Sequence, residues 1–382
     1  MKAIIAIDSF KGSLTTFESG AAVAEGIRAV YPDAEVVISP IADGGEGTVS
    51  AIVSATGGKL CQAEVTGPLA DEIVAEYGIL PDGKTAIIEM SAAAGITLVP
   101  RDKRNPLYIT TRGVGELITD AMERGCRHFI MGIGGSATND GGIGMLSALG
   151  FEFLDGNGAP VADGAVGLKS LREIRLDKVD LRLAECDFRV ACDVKNPLCG
   201  PLGCSRVYGP QKGADEKMIA DMDEWLSCYA ELTKSVLHDA NKDFPGVGAA
   251  GGMGFALKYY LGAGLTSGIE LVMEATRLEE HIKDADLVIT GEGRLDGQTA
   301  MGKAPVGVAR LAKKHGKRVI AFSGAVTEDA GECNKHGIDA FFPIVRRPCS
   351  LDEAMDVKNA YENLKNTAEQ VFRLMKSMTD ES

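Results

Sequence analysis

Residues 287–296, LVITGEGRLD, decide the fold, because they repeat an arrangement already used twice near the start of the chain. Each time a short apolar run rich in branched residues leads into glycines and acids, and then into a helical pattern, which reads as strand, loop, helix. The first instance is KAIIAI (2–7), then Asp8-Ser9-Phe10-Lys11-Gly12-Ser13 and a helix over 16–30. The second is EVVISP (35–40), then Ala42-Asp43-Gly44-Gly45-Glu46-Gly47-Thr48 and a helix through 53. Beyond Asp296 the rhythm predicts a helix over 304–314, a strand RVIAFS (318–323), a short helix, a strand AFFPIV (340–345) and a last helix from 351 to about 376. The two ends together supply five parallel strands, the number a flavodoxin-like sheet needs.

Between them the period changes. QAEVTGP, EIVAEYGIL and KTAIIEM, separated by turn residues, read as an antiparallel meander. A helix is expected over 115–124, a buried strand over 128–132, a helix over 144–149 and a strand over 188–192. The expected architecture is α/β. A flavodoxin-like, doubly wound, parallel five-stranded domain forms from residues 1–60 and 284–382, and a second mixed α/β domain, residues 61–283, is inserted into it.

Composition narrows the function. The 382 residues carry a formal net charge of −14, which disfavours a nucleic-acid or anionic-membrane binder, since neutralising phosphates takes a positive surface. The nine cysteines include no C-x-x-C pair, so zinc and a disulfide framework are disfavoured. No apolar run approaches a membrane span, and a cytoplasmic location is expected. The five histidines lie outside every glycine-rich loop, so no Ser-His-Asp or Cys-His constellation is visible.

Four loops rich in glycine and acids each follow a predicted strand. In open α/β sheets such loops converge on a crevice, where helix N-termini attract anions, so a phosphate-handling cleft is expected. The most specific is Gly134-Gly135-Ser136-Ala137-Thr138-Asn139-Asp140-Gly141-Gly142, which sets hydroxyl, amide and carboxylate groups beside bare backbone and reads as ligand contact rather than a capped turn. Asp43 and Glu46 stand three apart at a helix entrance, as caps or as metal or substrate ligands. Glu292, Arg294 and Asp296 alternate, so an extended chain aims all three to one side. Gly291 opens that segment. Lys303 precedes Pro305 at a helix start, where an ammonium can meet a phosphate or simply be solvated. Lys11 is placed like a phosphate clamp, although no G-x-x-x-x-G-K-[ST] motif exists. Asp193-Val194-Lys195-Asn196-Pro197 and Gly209-Pro210-Gln211-Lys212-Gly213-Ala214 could close over a substrate. For Gly248-Ala249-Ala250-Gly251-Gly252-Met253-Gly254, close packing explains the small residues equally well.

These motifs, in this order and spacing, with Ala191-Cys192-Asp193 and the GPQKGA and AAGGMG segments, closely resemble the bacterial type I glycerate kinases over essentially the whole chain. The resemblance implies transfer of the ATP γ-phosphoryl group to a hydroxyl of D-glycerate, usually giving 2-phosphoglycerate, with Mg²⁺ accompanying the nucleotide. It implies a setting in glycerate, glycolate or sugar-acid catabolism, and is compatible with a homodimer. One departure is Gly12, where an acidic residue often follows the lysine.

On that footing the expected roles are these. Lys11 and the Gly134–Gly142 backbone hold phosphates, and Asp43 and Glu46, or Asp193, hold Mg²⁺. Arg294 grips the glycerate carboxylate through its fork geometry. Asp296 is the first choice for general base and Asp193 the second. Asp8, Ser9, Gly44, Gly45, Gly134, Gly135, Ser136, Thr138, Asn139, Asp140, Gly291, Glu292 and Lys303 complete the substrate- and nucleotide-binding set. The rivals are a kinase for another small hydroxy acid, a non-catalytic ligand sensor and a dehydrogenase.

Overall fold

The computed structural model describes residues 1–42, 44–45 and 47–379, so Asp43 and Glu46 lie outside the described residues. The strands are, in chain order, β1 (Lys2–Ile7), β2 (Glu35–Ile38), β3 (Lys59–Thr66), β4 (Glu72–Ile79), β5 (Thr85–Glu89), β6 (His128–Gly132), β7 (Glu152–Leu154), β8 (Glu173–Arg175), β9 (Asp187–Ala191), β10 (Gly264–Thr266), β11 (Leu287–Leu295), β12 (Arg318–Val326) and β13 (Ala340–Pro343). The chain forms two compact units. One comprises Met1–Asp43, Ser54–Thr56 and Val272–Ser382, and the other Gly44–Val53 and Gly57–Leu271.

In the first unit the sheet order is β13-β12-β11-β1-β2, with every neighbouring pair parallel. Read from the other edge, this is the flavodoxin order 2-1-3-4-5, as five expected strands from both termini require. Ala3, Ile4, Ile5, Ala6 and Ile7 are all buried, because helices cover both faces of a parallel sheet and leave no polar side for its strands. The helix Thr16–Arg28 starts at a capping box in which Thr15 accepts from the Glu18 amide at 3.2 Å and the Glu18 carboxylate accepts from the Thr15 amide at 2.8 Å. The last helical stretch is two helices, Leu351–Met355 and Val357–Thr379, broken at Asp356, whose ψ of 127° is extended.

One expectation needs correction. The glycine segment after LVIT is not a loop: β11 continues through it to Leu295, pairing with Val326 of β12. Gly291 makes this possible, since a Cβ there would stand 2.0 Å from the Phe322 carbonyl oxygen.

The second unit has a six-stranded sheet, β10-β9-β6-β5-β4-β3. Strands β3, β4 and β5 are the antiparallel meander, and β5, β6, β9 and β10 run parallel. Its core includes Tyr77, Phe129, Phe188, Tyr229 and Phe255, with the Phe129 and Phe188 rings stacked at 4.8 Å. Strands β7 and β8 and the 21-residue helix Glu216–Val236 are additions that the sequence reading lacks. Among the described residues no helix is long and apolar enough to cross a membrane.

Candidate active site

In the first unit the functional side chains gather beyond β1 and β11. There the chain winds away in opposite directions, the switch point at which open α/β sheets bind ligands. Asp8 is 5% exposed; its amide donates to the Gly291 carbonyl at 2.9 Å and its carboxylate accepts from the Ser9 amide at 2.7 Å. Lys11 is exposed. Gly293 lies against the backbone of Phe10 and Lys11, where a Cβ would come within 3.4 Å of Phe10 Cα.

Glu292 accepts a hydrogen bond from the Thr299 hydroxyl. Burial raises its carboxyl above the ordinary carboxylate range, opposed by that hydroxyl and by the charges of Lys303 and Lys11. Asp296 is the N-cap of the helix Gly297–Ala300, accepting from the Gln298 and Thr299 amides at 2.9 and 3.1 Å. Its carboxylate also has Arg294 Nε at 3.6 Å and Lys303 Nζ at 3.9 Å. Three cations and two carboxyl groups therefore share one strand-end cluster, which is able to bind anionic oxygens and exchange a proton.

In the second unit the parallel strands β5, β6, β9 and β10 end together. Gly44, at φ 83°, fits where a Cβ would lie 2.5 Å from the Ala191 side chain and 3.2 Å from Gly268 Cα. Gly134 lies close to Gly45 Cα, where a Cβ would stand at a tight 3.2 Å. Asp193 is exposed just past β9, and its carboxylate accepts from the Gly268 amide at 3.1 Å. Gly44, Gly45, Gly134 and Asp193 thus belong to one strand-end group, in which Gly44 is packed against Ala191 while Gly134 and Asp193 are exposed.

The loop after β6 divides in two. Gly134 and Gly135 are exposed and Ser136 is 8% exposed, whereas Thr138, Asn139 and Asp140 are fully buried. The Asp140 carboxylate accepts from the Thr111 amide at 3.0 Å, the Thr111 hydroxyl at 2.8 Å and the Gly142 amide at 3.1 Å. Burial raises its carboxyl despite those donors. Asn139 donates to Ser205 Oγ at 2.8 Å. The AAGGMG segment packs against this loop: Ala250, Gly251 and Gly252 turn left-handed, and a Cβ on Gly251 would stand 2.1 Å from the Thr138 carbonyl oxygen. Of the two readings open in the sequence, close packing is the one realised.

The sequence reading missed one residue and turned another the wrong way. Glu89 ends β5 and accepts from the Val49 amide at 2.7 Å; its signal is an acid closing an apolar strand, as Asp8 closes β1. Lys212, in the GPQKGA segment, does not reach outward over a substrate but is 2% exposed, with Nζ donating to Ser136 Oγ at 2.8 Å and to the Thr138 carbonyl at 2.6 Å.

Known proteins are similar to this chain over nearly its whole length. The Glycerate kinase family matches residues 3–376. The chain is 53% identical to a glycerate 2-kinase of Escherichia coli K12 over 364 residues, 95% of each chain. It is 47% identical to a glycerate kinase of Bacillus subtilis 168, covering 99% of each. A crystal structure of a candidate glycerate kinase 2 from Salmonella typhimurium LT2 superposes with a TM-score of 0.91 at 48% identity, covering 100% of this chain and 99% of the other. With the family match running over residues 3–376 and about half of the residues identical to glycerate kinases over nearly the full length, this chain belongs to the glycerate kinase family.

Proposed function

We propose that the protein transfers the γ-phosphoryl group of ATP to a hydroxyl of D-glycerate, giving 2-phosphoglycerate and ADP, in the cytoplasmic catabolism of glycerate, glycolate or sugar acids, with a homodimer as its working form. The observation that carries this reading is family membership across residues 3–376, with 53% identity to a glycerate 2-kinase.

Phosphoryl transfer asks a protein to position its reactants and to balance developing charge. Lys11 and Lys303 supply cations for phosphate oxygens, and the exposed Gly134 and Gly135 backbone supplies a surface that a phosphate can approach closely. Arg294 grips the glycerate carboxylate. Glu292 becomes the stronger candidate for general base, because Asp296 is occupied in capping its helix while desolvation of the half-buried Glu292 raises its carboxyl and so makes its ionised form a better proton acceptor than an exposed carboxylate.

Mg²⁺ suits the donors present. Among the described residues no three His, Cys, Asp or Glu side chains form a protein cage, and Mg²⁺ ordinarily takes one or two carboxylates beside substrate phosphates and water. Asp193 offers such a hard oxygen, and the pair Asp43 and Glu46 is the alternative. When bound, the ion neutralises phosphate charge.

The test is ³¹P NMR of the product formed from ATP and D-glycerate. A 2-phosphoglycerate resonance with ADP is expected, and absence of any glycerate phosphoester would reject the reading. In addition, Arg294→Lys should raise the D-glycerate KM and leave the ATP KM near that of the parent; an unchanged glycerate KM would remove the clamp.

A further inference from the structure

Lys212 has no part in the roles assigned to the two strand-end clusters, yet its surroundings are built around its charge. It ends the short turn Pro210–Lys212 and directs its side chain into the second unit. Burying an ammonium is costly unless its hydrogens are taken by good acceptors. Two acceptors meet it, the Ser136 hydroxyl oxygen and the Thr138 carbonyl, both on the loop after β6.

The chemistry of the pair is one-directional. An ammonium carries donors only, so Ser136 Oγ must accept, and the Ser136 hydrogen must then point elsewhere. Among the described residues no protein acceptor takes that hydrogen. Ser136 lies beside the exposed Gly134 and Gly135 at the open end of the sheet, while the remainder of its loop is pinned from behind by Asp140 and Gly251.

We propose that Lys212 is a positioning residue for phosphoryl transfer, whose ammonium holds the Ser136 hydroxyl as an outward donor to an anionic oxygen of the reactants, either a nucleotide phosphate oxygen or the carboxylate of the hydroxy acid. This rests on the reading of the protein as a glycerate kinase. The titratable groups facing Lys212 are Cys204 and Asp140. Burial pushes the Lys212 ammonium down to about 8 and the Cys204 thiol up to about 11. Lys212 is therefore charged at neutral pH. As pH rises through about 8 it becomes an amine with a lone pair, which can take the Ser136 hydrogen inward.

The experiment is steady-state kinetics of the full chain with ATP and D-glycerate from pH 6.5 to 9.5, on the parent protein, Ser136→Ala, Lys212→Met and the double variant. One charge-assisted hydrogen bond corresponds to roughly a 10- to 100-fold loss in kcat/KM at pH 7, expected for each single variant. The double variant should lose little more than either one. The parent should lose activity above pH about 8, and Ser136→Ala should lack that alkaline limb. A rise in the ATP KM identifies the phosphate oxygen as the acceptor, and a rise in the D-glycerate KM the carboxylate.

Parent-like kinetics in Ser136→Ala, an alkaline limb that survives the substitution, or multiplied losses in the double variant would overturn the proposal while leaving the kinase reading intact. Should Lys212→Met not fold, the Ser136→Ala pH profile decides alone. No turnover by the parent protein would overturn both.

Discussion

A carboxyl group serves as a base only after losing its proton, so the burial that raises Glu292 sets where catalysis should fail in acid. Activity is present above the raised value and lost as pH falls through it. The acid limb of kcat/KM is therefore expected above the ordinary carboxylate range. Glu292→Gln keeps an acceptor for the Thr299 hydroxyl and should lower kcat by about 10²- to 10⁴-fold. Asp296→Asn keeps the helix cap and should retain the limb. A Glu292→Gln variant with near-parent kcat, beside an inactive Asp296→Asn, would return the base to Asp296. Lys212 affects stability in the opposite pH range. Unfolded, it titrates near 10.5, and folded at about 8. Between these values the unfolded chain binds more protons, so stability rises with pH. The parent should gain up to about 3 kcal/mol over Lys212→Met from pH 8 to 10.5, at about 1.4 kcal/mol per unit. Denaturant unfolding of both proteins at the two pH values measures it, and a constant difference would mean that Lys212 titrates normally.

At the scale of elements, β11 is where local pattern and tertiary pairing part company. The strand LVIT was legible because an apolar run is a local signal, and the glycines after it read as a loop because turn formers are local signals too. The continuation to Leu295 was not, because it depends on β12 accepting Gly291 against the Phe322 carbonyl. Gly291→Ala should therefore cost about 3 kcal/mol in urea unfolding. Gly331→Ala, with nothing within 4 Å of its new Cβ and an ordinary φ, should stay within about 0.5 kcal/mol of the parent; equal effects would remove the steric account of β11. The same division runs through the site. That Arg294, Asp296 and Lys303 stand together could be read from sequence, because charged groups set close along the chain at a strand end are held near one another by that local order. The inward turn of Thr138, Asn139, Asp140 and Lys212 could not, since polar residues that pin a loop from beneath look in sequence like those that meet a ligand. Glu89 was hidden by the apolar strand that carries it.

For the whole molecule, the order of pairing along the chain governs how it folds. In the first unit β1 is flanked by β2 and by β11, and the Lys2 amide bonds to Asp286 across 284 positions. The second unit draws its whole sheet from within Gly57–Leu271. Contacts between distant residues repay their closure entropy late, and such strands form slowly. The second unit should accordingly fold first, leaving β1 unpaired until β11 exists. A chain ending at residue 271 provides the test under limited proteolysis. Residues 57–271 should survive as a resistant fragment while cleavage concentrates within residues 1–43, and amide hydrogens of β1 should exchange orders of magnitude faster than in the full chain. Since KAIIAI is apolar throughout, the truncated chain should also aggregate as its concentration rises. Slow exchange in β1 without β11 would show that β2 and the Thr16–Arg28 helix suffice to hold the strand, and that the five-stranded sheet grows from its N-terminal edge.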